Sequence, residues 1–155
     1  MKAVAGIAGI LLVAAALACR GGAARPSPLD TRNDLCGSCR MPVSNPKLAA
    51  QLAAPGEEPR FFDDVGCLRD YLARGATPPP GSIAYVADHR TGEWAPASAA
   101  IFSRCPSVET PMASHIVAHA NEASRAADPS ASGCAPLTPV DLFGPPGPPA
   151  GKKAG

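Results

Sequence analysis

The stretch RFFDDVGCLRDYLAR, residues 60–74, decides the fold class of this chain. Its first three residues predict the end of a β-strand, and one of the two aspartates that follow predicts a helix cap. Three apolar residues recur at helical spacing behind the cap, namely Val65, Leu68 and Leu72. Gly75 then ends the helix. A strand that runs directly into a short amphipathic helix predicts a mixed domain.

The flanking segments extend this pattern on both sides. Residues 47–54 predict an alanine-rich strand, and residues 83–86 form the strongest strand pattern of the chain. Residues 97–102 fit a short helix or a strand equally well, and Ser114 opens a predicted helix over 114–123. The order is β, β, α, β and then mixed, which predicts a small α+β domain of ββαβ type.

Composition limits the function classes. The chain of 155 residues carries 14 basic and 13 acidic residues. This balance argues against a nucleic-acid-binding protein, because such proteins present a basic surplus on their surface. Six cysteines are too few for a disulfide-dense miniprotein and enough for a metal or redox site.

Four segments are predicted along the chain. Residues 1–18 have a positive start and an apolar stretch that is typical of a secretory signal peptide. Residues 19–33 predict a disordered tether, and residues 34–123 predict the folded domain. Residues 124–155 are rich in Pro, Gly and Ala and predict a disordered tail, because they bury too little apolar area to offset chain entropy.

The end of the first segment predicts how the protein is anchored. Small residues precede Cys19 in Ala16-Leu17-Ala18-Cys19 and resemble the lipobox of bacterial lipoproteins. In such proteins the cysteine is lipidated, which predicts a membrane-anchored lipoprotein facing the periplasm or the cell exterior. The alternative is ordinary signal cleavage after Ala18, which leaves Cys19 free.

The candidate metal ligands begin with the segment CGSCRM. Cys36 and Cys39 have two residues between them, and Met41 has one residue between it and Cys39. Two thiols at this spacing suit a metal ion or a disulfide. A thioether beside them favours Cu(I), because thiolate and thioether form the soft ligand set that selects this ion.

A second group of candidate ligands lies further along the chain. Met112 precedes the predicted helix over 114–123, on which His115 and His119 would share one face. Met112 and His115 are therefore candidates to complete a Cu(I) site with the cysteine loop, and His89 lies in a predicted turn.

Each of these features also has a purely structural interpretation. Cys36 and Cys39 fit a structural disulfide in an oxidising compartment. Both methionines fit the packing of a core, and Cys67 fits a buried core cysteine on the predicted helix. Cys105 is a candidate for a disulfide, and Cys134 is expected to be incidental, because it lies in the predicted tail.

These segments in order resemble the NosL family of copper-binding lipoproteins, which are accessory factors of nitrous oxide reductase. The resemblance covers residues 35–123, and the family often has Gly where Arg40 stands. It rests on residues 36–43 (CGSCRMPV), 48–51 (LAAQ), 62–68 (FDDVGCL), 86–94 (VADHRTGEW) with Ala99, and 110–112 (TPM).

The resemblance implies a Cu(I)-binding chaperone rather than an enzyme. It implies one Cu(I) per chain, held by Cys39, Met41 and Met112 and delivered to a copper acceptor such as nitrous oxide reductase. It also implies a small α+β domain related in shape to part of the organomercurial lyase fold. A membrane copper exporter is a further expected partner, with the lipid anchor on Cys19 keeping the protein nearby.

Two other function classes stay open on the sequence. One is a thiol–disulfide redox lipoprotein that uses the Cys36/Cys39 pair. The other is a structural lipoprotein with two disulfides, Cys36–Cys39 and Cys67–Cys105, and no metal affinity.

Overall fold

The structure of the protein is a computed structural model that describes residues 23–144. The predicted signal peptide, residues 1–18, and the candidate lipid-attachment residue Cys19 lie outside the described residues, as do residues 145–155 of the predicted tail. Within 23–144, no helix has the length and apolar character needed to cross a membrane.

A four-stranded antiparallel sheet forms one half of the fold. Its strand order is β2-β1-β3-β4, and all four residues of β1 are buried. The strand bounds are β1 Ala50–Ala53, β2 Arg60–Phe62, β3 Ile83–Ala87 and β4 Trp94–Pro96. The strands predicted over residues 47–54, 60–62 and 83–86 are thus confirmed, and they are neighbours in one sheet.

The helix that the sequence predicts after the aspartate pair is confirmed as helix α1, Val65–Ala73. Asp64 is its N-cap, and the Asp64 side chain accepts a hydrogen bond from the Cys67 amide. The first turn buries Val65 and Leu68. Helix α1 contacts β1 and β2, and also strand β6 (Ile116–His119), which belongs to a second sheet. The helix therefore lies where the two sheets meet, with its N-terminal turn in the core.

The second sheet corrects the predicted helix over 114–123. This segment forms a strand, β6, whose four residues are all buried. The β-branched residues Ile116 and Val117 fit a strand better than a helix. The segment 97–102, left undecided by the sequence, enters strand β5. The sheet has the antiparallel order β6-β5-β7, with β5 Ile101–Arg104, β6 Ile116–His119 and β7 Ala135–Leu137.

The predicted disordered tail needs correction for residues 124–144. This segment contains the end of helix α2 (Glu122–Ala126), a 3₁₀ turn, strand β7 and helix α3 (Pro139–Phe143). Leu142 is buried in the main core, and the Phe143 ring lies 5.8 Å from that of Phe102. Strand pairing with β5 and a few apolar contacts fix this segment, and amino-acid composition does not reveal either of them.

The predicted tether is also fixed over its described part. The Ser27 amide donates to Gln51 Oε1 at 2.8 Å, and Gln51 Nε2 donates back to the Ser27 carbonyl at 3.0 Å. The Tyr85 hydroxyl donates to the Ala24 carbonyl at 2.8 Å. These bonds satisfy a buried glutamine and hold an irregular segment against β1 and β3. The domain therefore begins before residue 34, although its α+β class is as predicted.

One disulfide, Cys105–Cys134, joins residues 29 positions apart. It links the end of β5 to the segment before β7, so Cys134 is not incidental. The predicted Cys67–Cys105 pairing is wrong, since Cys67 is a free cysteine.

Replacing both cysteines (Cys105→Ser with Cys134→Ser) should lower the free energy of unfolding by about 2–4 kcal/mol, because the disulfide restricts the unfolded chain. Urea denaturation of the full-length protein followed by circular dichroism measures this difference. Finding Cys105 and Cys134 both reactive in the denatured, unreduced protein would contradict the assignment of this disulfide.

Candidate metal centre

Three free thiols form a cluster in the core of the domain. The sulfur atoms of Cys36, Cys39 and Cys67 all lie within 4.8 Å of one another. Cys36 and Cys67 are buried, and Cys39 is partly exposed. The structure thus brings the predicted cysteine pair together with a third cysteine from helix α1.

The turn that carries the first two thiols is closed by its own backbone. The Cys36 amide donates to the Met41 carbonyl at 2.8 Å, and the Arg40 amide donates to the Cys36 carbonyl at 3.0 Å. The amides of Ser38 and Cys39 point at Cys36 Sγ, at 3.4 and 3.5 Å. Arg40 has a φ of 69°, a left-handed conformation that is costly for a residue other than glycine. The turn therefore holds the sulfur atoms of Cys36 and Cys39 close to each other.

Neighbouring elements hold this turn in place. The Gly37 amide donates to the Phe61 carbonyl at 2.8 Å. A Cβ atom on Gly37 would lie 2.6 Å from Arg60 Cγ, so glycine is needed for this close approach. On the other side, Arg74 Nη2 donates to Ser38 Oγ at 2.7 Å. The turn is thereby attached to strand β2 and to the end of helix α1.

Asp64 positions the third thiol and a distant loop with one carboxylate. Its Oδ1 accepts the Cys67 amide at 2.8 Å. Its Oδ2 accepts the Ser114 hydroxyl at 2.9 Å and the Met112 amide at 3.4 Å. A Cβ atom on Gly66 would lie 2.6 Å from Ser114 Cβ. The loop that carries Met112 therefore packs against the helix turn that carries Cys67.

Asp63, the first residue after strand β2, holds the loop that contains Ser44. Its Oδ1 accepts the Ser44 amide at 2.8 Å and the Ser44 hydroxyl at 3.1 Å. The Asp63 backbone also acts to lower the pKa of the Cys36 thiol. The aspartate pair thus organises loops around the thiols, with Asp64 as the helix cap that the sequence predicts.

The three thiols differ in acidity. Burial acts to raise the pKa of the Cys36 thiol, but the amides of Cys39, Asp63 and Ser38 outweigh it and hold this pKa below its ordinary value. Burial raises the pKa of Cys39, and the nearby Cys36 raises it further. Burial likewise raises the pKa of Cys67, followed by the effect of Cys36. Cys36 is therefore the first thiol to lose its proton, and its negative charge disfavours a second thiolate unless a cation binds.

Both candidate thioethers are at the surface. The relative exposure is 47% for Met41 and 46% for Met112. Neither methionine is core filler, so that structural interpretation is wrong. Met41 closes the turn of Cys36, and Met112 lies in the loop held by Asp64.

His115 is not brought into the thiol cluster. Its Nδ1 lies 2.9 Å from the Val108 carbonyl, and its amide donates to Thr110 Oγ1 at 3.0 Å. The prediction that His115 and His119 share a helical face is wrong, because the segment is a strand. His119 lies instead beside His89 and Asp128.

Cys67 is the site residue that sequence reasoning missed. The available signal was its position three residues after the predicted aspartate cap, in the first turn of a helix that follows a strand directly. Nothing local in the sequence indicates which other cysteines it meets.

Comparisons of the chain with protein-family models, with curated proteins and with solved structures found no match.

Replacing Asp64 by Asn should destabilise the fold by about 1–3 kcal/mol, because a buried amide cannot accept all three hydrogen bonds that the carboxylate accepts. The matched control is Asp70→Asn on the same helix, which removes only a half-exposed ion pair with Arg69 and should cost less than about 0.5 kcal/mol. Equal midpoints of thermal unfolding for the two variants would show that Asp64 does not brace the site.

Proposed function

We propose that this protein is a membrane-anchored, extracytoplasmic Cu(I)-binding chaperone of the NosL type that hands copper to an acceptor enzyme. The observation that supports the proposal most strongly is the convergence of three free thiols within 4.8 Å, flanked by segments that expose two methionines. In this proposal copper is the cargo and the protein catalyses no reaction.

The proposed Cu(I) selectivity depends on the methionines. Three thiolates suit both Zn²⁺ and Cu(I), whereas the thioethers of Met41 and Met112 in the flanking segments favour Cu(I). A metal–sulfur bond of about 2.3 Å places ligand sulfurs roughly 4 Å apart around one ion. That separation falls within the 4.8 Å limit of the cluster, so an ion requires little rearrangement of the three side chains.

The arrangement of donors suggests how copper enters and leaves. Cys36 and Cys67 are buried, while Cys39 is partly exposed and Met41 and Met112 are about half exposed. Copper held by the inner thiols keeps an outer side where an acceptor thiol, thioether or imidazole can bind before the donor leaves. Transfer would then proceed by ligand exchange, with no free ion in solution.

The anchor and the partners follow from the same proposal. Lipidation of Cys19 would hold the chain at the membrane and raise its effective concentration near a membrane copper exporter and an acceptor enzyme. Nitrous oxide reductase is the proposed acceptor, on the resemblance to the NosL family. The disulfide Cys105–Cys134 agrees with a location outside the cytoplasm, since disulfides persist in oxidising compartments.

A Cu(I) titration of the full-length protein, with the cluster thiols reduced and the Cys105–Cys134 disulfide intact, against a chromogenic Cu(I) chelator tests the proposal, with Zn²⁺ titrated in parallel. We expect tight binding of one Cu(I) per chain and weaker binding of Zn²⁺ to the thiol cluster. A Cu(I) affinity no higher than that of a variant without Cys36, Cys39 and Cys67 would reject the proposal.

Single variants test the individual ligands. Cys39→Ser, Cys67→Ser and Met112→Ala should each weaken Cu(I) binding at least tenfold, about 1.4 kcal/mol. His115→Ala should leave the affinity unchanged, because His115 is bonded within its own loop. A tenfold loss for His115→Ala, together with no loss for Cys67→Ser, would show that the site uses a different set of ligands.

The redox alternative makes a different prediction about the same thiols. An attacking thiolate must be accessible, yet the acidic thiol here is Cys36, which is buried, and the accessible one is Cys39, whose pKa is raised. If Cu(I) fails to bind, a Cys36/Cys39 reduction potential in the range of known oxidoreductases would support the redox role instead.

A further inference from the structure

A second cluster of ligand atoms lies in the domain and shares no residue with the thiols. His89 Nδ1 and His119 Nε2 both point at one oxygen, Asp128 Oδ2, at 2.7 and 2.9 Å. The three ligand atoms lie within 4.8 Å of one another. Two imidazoles and one carboxylate therefore converge on a single point.

Three separate elements supply these side chains. His89 follows strand β3, His119 ends strand β6, and Asp128 follows helix α2. The His89 amide donates to the Ala118 carbonyl at 2.8 Å, which ties the turn after β3 to strand β6. Backbone hydrogen bonding between these two segments thus fixes the positions of His89 and His119 relative to each other.

The carboxylate is oriented by its own neighbours. Asp128 Oδ1 accepts the Ser130 amide at 2.9 Å and the Ser130 hydroxyl at 2.6 Å. This leaves Oδ2 facing the two imidazoles. In metal sites, hydrogen bonds from neighbouring residues that do not bind the metal orient the ligands in the same way.

His119 is an unusual core residue. Its side chain has no solvent exposure, and its Nδ1 atom is buried without a hydrogen-bond partner. A buried histidine with an unsatisfied nitrogen is costly in a core that serves only for packing, and the other nitrogen of the same ring faces Asp128. In its hydrogen bond with Asp128 the Nε2 atom donates, so a metal at Nε2 would require the ring proton to move to Nδ1, where no other group is bonded.

The dimensions and the donor types select the class of ion. Bonds of about 2.1 Å to nitrogen and oxygen place ligand atoms roughly 3.4 Å apart in a tetrahedral site, so the two contacts to Asp128 would lengthen by roughly 0.5–0.7 Å. Imidazole and carboxylate suit a borderline divalent ion such as Zn²⁺ rather than Cu(I). His89 is 17% exposed, which gives the ion a route of entry and a fourth position for water.

We propose that His89, His119 and Asp128 form a second metal site, which binds one borderline divalent transition-metal ion such as Zn²⁺ independently of the thiol cluster.

The test uses the full-length protein with the thiol site removed by Cys36→Ser, Cys39→Ser and Cys67→Ser, and the probe is Co²⁺ followed by Zn²⁺. We expect one Co²⁺ per chain, with the visible absorption of a four- or five-coordinate ion, without thiolate charge-transfer bands, and lost on addition of Zn²⁺. Absence of Co²⁺ and Zn²⁺ binding in this folded variant would overturn the proposal.

Point variants in the same background assign the ligands. His89→Ala and Asp128→Asn should weaken Co²⁺ binding at least tenfold, whereas His115→Ala, the matched histidine control, should not change it. An equal effect of His89→Ala and His115→Ala would overturn the assignment. Circular dichroism establishes that each variant is folded.

A readout on the unmodified chain covers the case in which the triple variant does not fold. Long-range ¹H–¹⁵N spectra of the imidazoles are recorded as Zn²⁺ is added to the protein with its thiols occupied by Cu(I) or alkylated. The ring nitrogens of His89 and His119 should shift and those of His115 should not. Shifts confined to His115, or no shifts at all, would contradict the site.

Discussion

The arrangement of the thiol site depends on one buried carboxylate, that of Asp64. It has no solvent exposure, and burying a carboxylate is costly unless its lone pairs are satisfied. One oxygen accepts the Cys67 amide, and the other accepts the Ser114 hydroxyl and the Met112 amide. The need to satisfy this group ties the first turn of helix α1 to a loop 48 residues away in the chain. The position of Cys67 and that of the Met112 backbone are therefore set by the same interaction.

Electrostatics explain why the thiol cluster suits a cation. Three sulfurs in a small buried volume cannot all ionise without a positive charge among them, because burial and mutual repulsion raise the pKa of Cys39 and Cys67. A bound cation would reduce this repulsion. The amides directed at Cys36 lower the pKa of its thiol, so Cys36 is the thiol that ionises most readily. In the proposed function, the same cost of unpaired thiolates would favour retention of copper until an acceptor ligand arrives.

The two candidate sites differ in donor chemistry and in the elements that support them. The thiol cluster is built from the turn before β1 and from helix α1, and its donors are soft. The histidine cluster joins the turn after β3 to strand β6 and the segment after helix α2, and its donors are nitrogen and oxygen. Ligand type rather than raw affinity separates metals in proteins, so the two sites are expected to select different ions within one small domain.

Local patterns in the sequence determined the α+β class, helix α1 with its aspartate cap, strands β1 to β3, and the spacing of Cys36, Cys39 and Met41. These features depend on residues close together in the chain, where periodicity and capping report directly on structure. Contacts between segments that are distant in the chain decided the remaining features of the fold. Strand β6 replaced a predicted helix because its residues are buried beside β5, and residues 124–144 are ordered because they pair with β5 and carry Cys134. The meeting of Cys67 with the cysteine turn, and of His119 with His89 and Asp128, follows from contacts between distant segments, which no local pattern encodes.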